Sequence, residues 1–190
     1  MDERDAIRRL KAGDIKGLAI LVQTYQTRGI RTAYLIVRDQ ALAEDIVQNV
    51  FLRVFHRIKT FDDERPFAPW FSRIVVNESL SAISKKKEVS LDEPIGDGGI
   101  AIGDTLSDDD PLPAEAFEHE QMRQKLWEAL EQLNPNQRAA VTLFYYLDYS
   151  EKEIAETLEC PQGTVKWRLH EARRRLRGFL KHEMGVKHGG

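Results

Sequence analysis

From Gln162 to Lys181 the chain carries seven basic side chains (Lys166, Arg168, Arg173, Arg174, Arg175, Arg177 and Lys181) against one acidic, Glu171. On a helix, Val165, Leu169, Ala172 and Leu176 fall on one stripe, and Trp167, His170, Glu171 and Arg174 fall on the opposite one. That arrangement suits a helix laid in the major groove of DNA, where a few side chains reach base edges and flanking cations hold phosphates. A solvated basic face on a bundle helix would account for the basicity alone. Here the basicity coincides with local signals that frame it. Ser150 and Glu153 make a capping box for a helix running to about Leu158, and Glu159-Cys160-Pro161-Gln162-Gly163 reads as a turn. Thr164 is then placed to cap a second helix running to about Lys181, so the whole reads as a helix-turn-helix.

A second cluster lies between Lys59 and Lys87. Phe61, Phe67, Trp70 and Phe71 are interleaved with Lys59, Arg65, Arg73 and the Lys85-Lys86-Lys87 run. Rings next to cations suit unstacked bases of a single strand, because a ring stacks on any base and a cation holds the backbone. Trp70 and Phe71 are equally at home in a core, and Asn77 could be an ordinary exposed helix amide. A third feature is the stretch Leu42–Ile58, whose apolar positions exceed one helical stripe. Ile46, Val50, Val54 and Ile58 can face a home core, whereas Asp45, Gln48, Leu52 and Phe55 form a second face with Phe51 beside it. A helix apolar on more than one side is either buried all round or docks on a partner.

These features need helices to carry them. Residues 1–85 read as helical throughout, with Ile7, Leu10, Ile15, Leu18, Leu21, Val22 and Tyr25 at helical spacing, and Asp39 is a candidate helix cap. Residues 59–69 read as a loop because Pro66 and Pro69 interrupt helix, and Trp70–Ser84 resumes it. Residues 88–118, with their glycines, prolines and Asp108-Asp109-Asp110, read as a flexible acidic linker. Helices return over residues 119–181, with one helix stopping and the next starting at Asn134-Pro135. The formal net charge of −3 is unevenly spread. Residues 1–85 hold 14 basic and 11 acidic side chains, residues 86–120 hold 2 and 11, and residues 121–190 hold 12 and 9. Two mildly basic blocks therefore flank an acidic one, which is compatible with nucleic-acid partners.

Several classes are disfavoured. No apolar run is long enough for a membrane span, and the charged start Met1-Asp2-Glu3-Arg4-Asp5 is unlike a secretory signal. The single cysteine, Cys160, excludes an internal disulfide and a cysteine-cluster metal site, so a reducing, cytoplasmic setting is expected. No phosphate-binding Gly-x-x-x-x-Gly-Lys loop, His-Glu-x-x-His motif or nucleophile elbow is present, and the five histidines show no ligand spacing. No enzyme, no metal or other cofactor, no small-molecule substrate and no membrane insertion is expected. Among binding proteins, a stand-alone helix-turn-helix regulator with a sensory N-terminal domain is one alternative.

Taken together, the motifs resemble the sigma-70 family, specifically its small extracytoplasmic-function (ECF) group. The N-terminal marks are the run Asp39–Leu52, containing Ala43-Glu44-Asp45-Ile46-Val47-Gln48, and the run Phe67–Asn77. The C-terminal marks are Leu133–Arg138, Tyr149–Glu156 and Cys160–Lys166. The resemblance implies an all-α chain of two small helical domains. These are a region 2 bundle over 1–87 and a region 4 helix-turn-helix over 119–183, joined by the linker 88–118 and followed by a tail, 184–190. It implies an RNA polymerase sigma factor that binds the core enzyme through the clamp helices of the largest subunit and the flap of the second-largest. Such a factor recognises −35 and −10 promoter DNA, promotes its opening, and is held in check by an anti-sigma factor.

Residue by residue, the resemblance places Asp45, Gln48, Asn49 and Phe51 against polymerase. It places Phe61, Arg73 and Asn77 at the −10 element, and Lys166, Trp167, Arg168, His170, Glu171, Arg173 and Arg174 at the −35 element. Four places depart from the usual pattern, the first being Trp167, where many members have a small residue. Asn49 stands where an acidic residue is common, Asp62-Asp63-Glu64 fills a loop where an Arg often follows the Phe, and Glu171 replaces a basic residue. A carboxylate can accept from cytosine N4, so Glu171 is expected to shift the −35 preference.

Overall fold

The computed structural model describes residues 2–90 and 124–185, with side chains described at 2–86 and 124–179. All regular structure among them is helical, as the all-α expectation requires. The first module is α1 (Glu3–Lys11), α2 (Lys16–Val37), α3 (Gln40–Arg57), a 3-10 turn (Ile58–Thr60) and α4 (Phe67–Ser90). The second comprises α5 (124–131), α6 (Pro135–Val141), a π-turn (Thr142–Tyr146), α7 (Glu151–Thr157) and α8 (Gln162–Gly185). Residues 88–90 of the expected linker continue α4, and 184–185 of the expected tail continue α8. The remainder of the linker, 91–118, and the tail residues 186–190 lie outside the described residues.

Local chemistry explains most boundaries. Asp39 caps α3 by accepting from the Leu42 N–H at 3.1 Å. Asn134 and Gln137 cap α6 reciprocally at 3.0 Å each, with Pro135 in the first turn. Ser150 and Glu153 form the expected box on α7. Two starts differ from expectation. Helix α4 begins at Phe67 rather than Trp70, because Pro69 sits in the first turn, where a missing N–H breaks no helical bond. Helix α8 begins at Gln162, since the Pro161 carbonyl accepts from the N–H groups of Thr164 (2.9 Å) and Val165 (3.3 Å). Thr164 therefore lies inside the first turn and is not the cap. The helix that restarts at Pro135 is not uniform, with α6 ending at Val141 and the π-turn carrying the chain to Tyr146.

Helix α2 is the axis of the first module and packs on α1, α3 and α4. Its core joins Leu21 and Tyr25 to Ala6, Ile7, Val47, Val50, Phe67 and Phe71. Two glycines permit that closeness. At Gly17 an added Cβ would meet the α1 backbone, 2.8 Å from the Leu10 nitrogen. At Gly29 it would press on the Phe71 ring at 3.1 Å.

The two modules touch directly. Ile36 of α2 and Val76 of α4, both fully buried, join Ala139, Ala140, Leu143, Ile154, Val165 and Leu169 in one apolar cluster. Polar ties edge this seam. Arg138 donates from Nε to the Ile36 carbonyl at 2.7 Å and from Nη1 to the Leu133 carbonyl at 2.7 Å. Arg38, in the left-handed conformation (φ 63°) that ends α2, lays its guanidinium 4.6 Å from the Trp127 ring centroid and pairs with Glu131 at 3.2 Å. A left-handed conformation costs a non-glycine residue about 1–2 kcal/mol, and here the strained position aims a side chain across the seam.

Candidate functional site

Helix α3 keeps two faces, as its composition implied. Ala43, Ile46, Val47, Val50 and Val54 are buried in the bundle. On the other side Asp45, Gln48 and Asn49 are exposed, together with Leu52 at 57% and Phe55 at 37% exposure. Two large apolar side chains therefore stand in water beside polar ones on this face. Phe51 belongs to the other side. It is buried, and its ring centroid lies 5.1 Å from that of Phe71. Its ring packs in the bundle core, on the opposite side of the helix from the exposed residues.

The loop 61–66 and α4 form the second surface. Phe61 is buried, with Phe67 at 5.5 Å and Trp70 at 5.0 Å between ring centroids, so it anchors the loop from the inside. Phe71 is core and Trp70 is half-buried against it, which resolves the two readings of these rings toward packing. Around the anchor, Asp62, Asp63, Glu64 and Arg65 are exposed. Asp62 closes the turn by accepting from the Glu64 N–H at 3.1 Å. The Lys11 ammonium, from α1, donates to the Phe61 carbonyl at 2.6 Å and pairs with Asp63 at 2.7 Å. Arg73 is exposed and Asn77 partly so, one turn apart on α4. Arg73 is engaged by Glu159, from the turn of the helix-turn-helix, at 2.9 Å.

In the helix-turn-helix, Val165, Leu169 and Ala172 are buried and Ile154 packs on the same cluster. The stripe opposite presents Trp167 at 60% exposure, with His170, Arg174 and Lys166 also open to solvent. Three other residues of the expected −35 set are tied within the module. Arg168 reaches the Cys160 sulfur at 3.6 Å. Arg173 donates to the Tyr145 hydroxyl at 2.8 Å and lies over the Phe144 and Tyr145 rings. Glu171 accepts from Arg174 at 2.6 and 2.8 Å and from Arg175 at 3.0 Å. Those hydrogen bonds hold its carboxyl down to about 2. A carboxylate already forked by two guanidiniums has little capacity left for a cytosine, so Glu171 orders arginines in this form of the molecule.

Sequence reasoning missed Lys11, Arg38, Arg138, Tyr145 and Glu159. Each acts through a partner far away along the chain or through the π-turn, and no spacing rule reaches that far. Among the described residues no group of His, Cys, Asp and Glu could hold a metal ion, and no helix is long and apolar enough to cross a membrane.

Comparison with known proteins agrees with this geometry. The sigma-70 region 2 family matches residues 21–89, and the sigma-70 region 4 family matches residues 123–176. A region 2 bundle and a region 4 helix-turn-helix on one chain define a sigma-70-type initiation factor, a class of DNA-binding transcription factors and not enzymes. The ECF RNA polymerase sigma factor SigW of Bacillus subtilis is 32% identical over 177 residues, covering 92% of this chain and 95% of that protein. The chain belongs to the ECF sigma factors of the sigma-70 family. Its fold is also that of two solved structures. One is the sigma factor RpoE in complex with the anti-sigma factor NepR from Bartonella quintana (TM-score 0.69, 23% identity, 87% of this chain and 98% of that one). The other is CnrH in complex with the cytosolic domain of CnrY (TM-score 0.61, 20% identity, 95% and 99%).

Proposed function

We propose that this sigma factor docks on core RNA polymerase through the outer face of α3, with Asp45, Gln48, Asn49, Leu52 and Phe55 in contact. The observation that carries the proposal is that face, where an apolar pair stands exposed beside polar side chains on a helix whose opposite side is fully packed. The loop 61–66 with Arg73 and Asn77 then holds the opened −10 strand, the Phe61 ring serving as buried support. A base taken out of the stack costs a few kcal/mol, which hydrogen bonds and stacking in the loop offset. Trp167, His170, Lys166 and Arg174 meet the −35 duplex, and the region 1–87 and region 119–183 division follows from these separate tasks. Control by an anti-sigma factor fits the two relatives of this fold solved with such partners.

Run-off transcription with purified core enzyme over a randomised promoter library tests the reading. Recovery of promoters sharing two elements at fixed spacing is the expected result. A chain that binds promoter DNA as tightly without core as with it would instead be a stand-alone regulator.

A further inference from the structure

We infer that Lys11, on the helix farthest in sequence from any DNA-reading motif, is a positioning residue that sets the −10 loop for base capture. This rests on the assignment of the loop 61–66 to the −10 strand. Lys11 ends α1, and three contacts converge on its ammonium. It donates to the Phe61 carbonyl at 2.6 Å, pairs with the Asp63 carboxylate at 2.7 Å, and stands 5.9 Å from the centroid of the Phe61 ring. Its side chain is 25% exposed and that of Asp63 is 50% exposed, so the tie lies at the inner edge of the loop. Further out the loop stands away from α1 across a groove of about 420 Å³ lined by Glu3, Arg4, Ile7, Arg8, Glu64 and Arg65.

The chemistry of the tie explains its use. The loop carries three consecutive carboxylates, Asp62, Asp63 and Glu64, where a nucleic-acid strand has to approach. One cation at the base of the loop neutralises the middle carboxylate and fixes the carbonyl of the anchoring phenylalanine. Asp63 is thereby drawn toward α1 and away from the strand. The α1 end that supplies the lysine is itself rigid, because Ala6, Ile7 and Leu10 are buried against α2. Lys11 touches no base in this scheme. It acts through the backbone of Phe61 and the side chain of Asp63.

The test uses the full chain, core RNA polymerase and a promoter duplex carrying 2-aminopurine beside the −10 base. Fluorescence rises when the neighbour leaves the stack. Lys11→Met keeps the aliphatic stem and removes the charge. Loss of one charge-assisted hydrogen bond to a carbonyl predicts extrusion weakened about tenfold, the half-exposed ion pair adding little. Core affinity should stay near wild type, and Tm should fall by only a few degrees. Lys11→Arg should restore most of the signal, and Asp63→Asn should fall between. Wild-type fluorescence from Lys11→Met would overturn the inference. So would a loss matched by an equal loss of core binding, which marks a general structural role, or Lys11→Arg as weak as Lys11→Met. If the wild-type holoenzyme itself extrudes no base at −10 while transcribing, the assignment of the loop fails first, and that result is separable from a failure of Lys11 alone.

Discussion

Replacing Arg138 with alanine should part the two modules while leaving each folded. Its Nε bond to the Ile36 carbonyl crosses the seam, and its Nη1 bond to the Leu133 carbonyl stays within the second module. A hydrogen bond from a charged donor contributes about 1.5–3 kcal/mol. Burial, and then the neighbouring Arg38, work against the Arg138 charge and lower its pKa, so part of that gain is already offset. A net of about 1–2 kcal/mol for the crossing bond translates into a roughly five- to thirtyfold rise in the ratio of parted to docked molecules. Single-molecule energy transfer between dyes on cysteines placed at the exposed positions Glu44 and Glu156, in a Cys160→Ser background, reads that ratio directly. A second variant, Arg138→Met, keeps the apolar stem and isolates the polar tie. If both variants show the wild-type distribution, the apolar cluster and the ties of Arg38 and Arg73 hold the seam without Arg138, and the reasoning about the latch is refuted.

Other consequences are equally open to measurement. Leu52→Asp should weaken core binding at least tenfold in a fluorescence titration while shifting stability by less than about 0.5 kcal/mol, as expected of an exposed side chain. An equal loss of Tm and binding would contradict the docking role. Gly17→Ala should destabilise the chain by about 1–3 kcal/mol in thermal melts, because its Cβ has to displace α1 backbone. A Tm within a degree of wild type would show that α1 shifts freely. The Glu171 carboxyl titrates low in the folded chain, so its fork to Arg174 and Arg175 contributes fully above the ordinary carboxylate value and is lost progressively as pH falls from there to about 2. Carbon-detected NMR of that carboxyl should show it ionised at pH 4, and a midpoint near 4.5 would mean that the fork opens in solution.

What was legible in the sequence was local. The capping box at Ser150, the helix restart at Asn134-Pro135, the inward stripe of α8 and the two faces of α3 follow from spacing alone, and the structure shows all of them. Helical spacing put Phe51 at the border of two faces, and its burial against Phe71 depends on a ring contributed by another helix, which spacing does not show. Glu171 was legible as an outward residue but not as the hub of two guanidiniums, since flexible side chains three and four residues away compete with any external partner. The start of α4 was misjudged because Pro69 reads as a breaker unless the first turn is known. The seam was beyond reach. Arg73 and Glu159 are 86 residues apart, and no periodicity connects them.

Ile36 and Val76 belong by chain order to the first bundle but are covered by the second. Were the second module to leave this seam, these aliphatic groups would lose their shelter and become wet. Exposing such groups raises heat capacity, and the penalty for wetting them shrinks on cooling. Any opening of the seam would therefore carry its own temperature coefficient, written into two side chains of the first bundle.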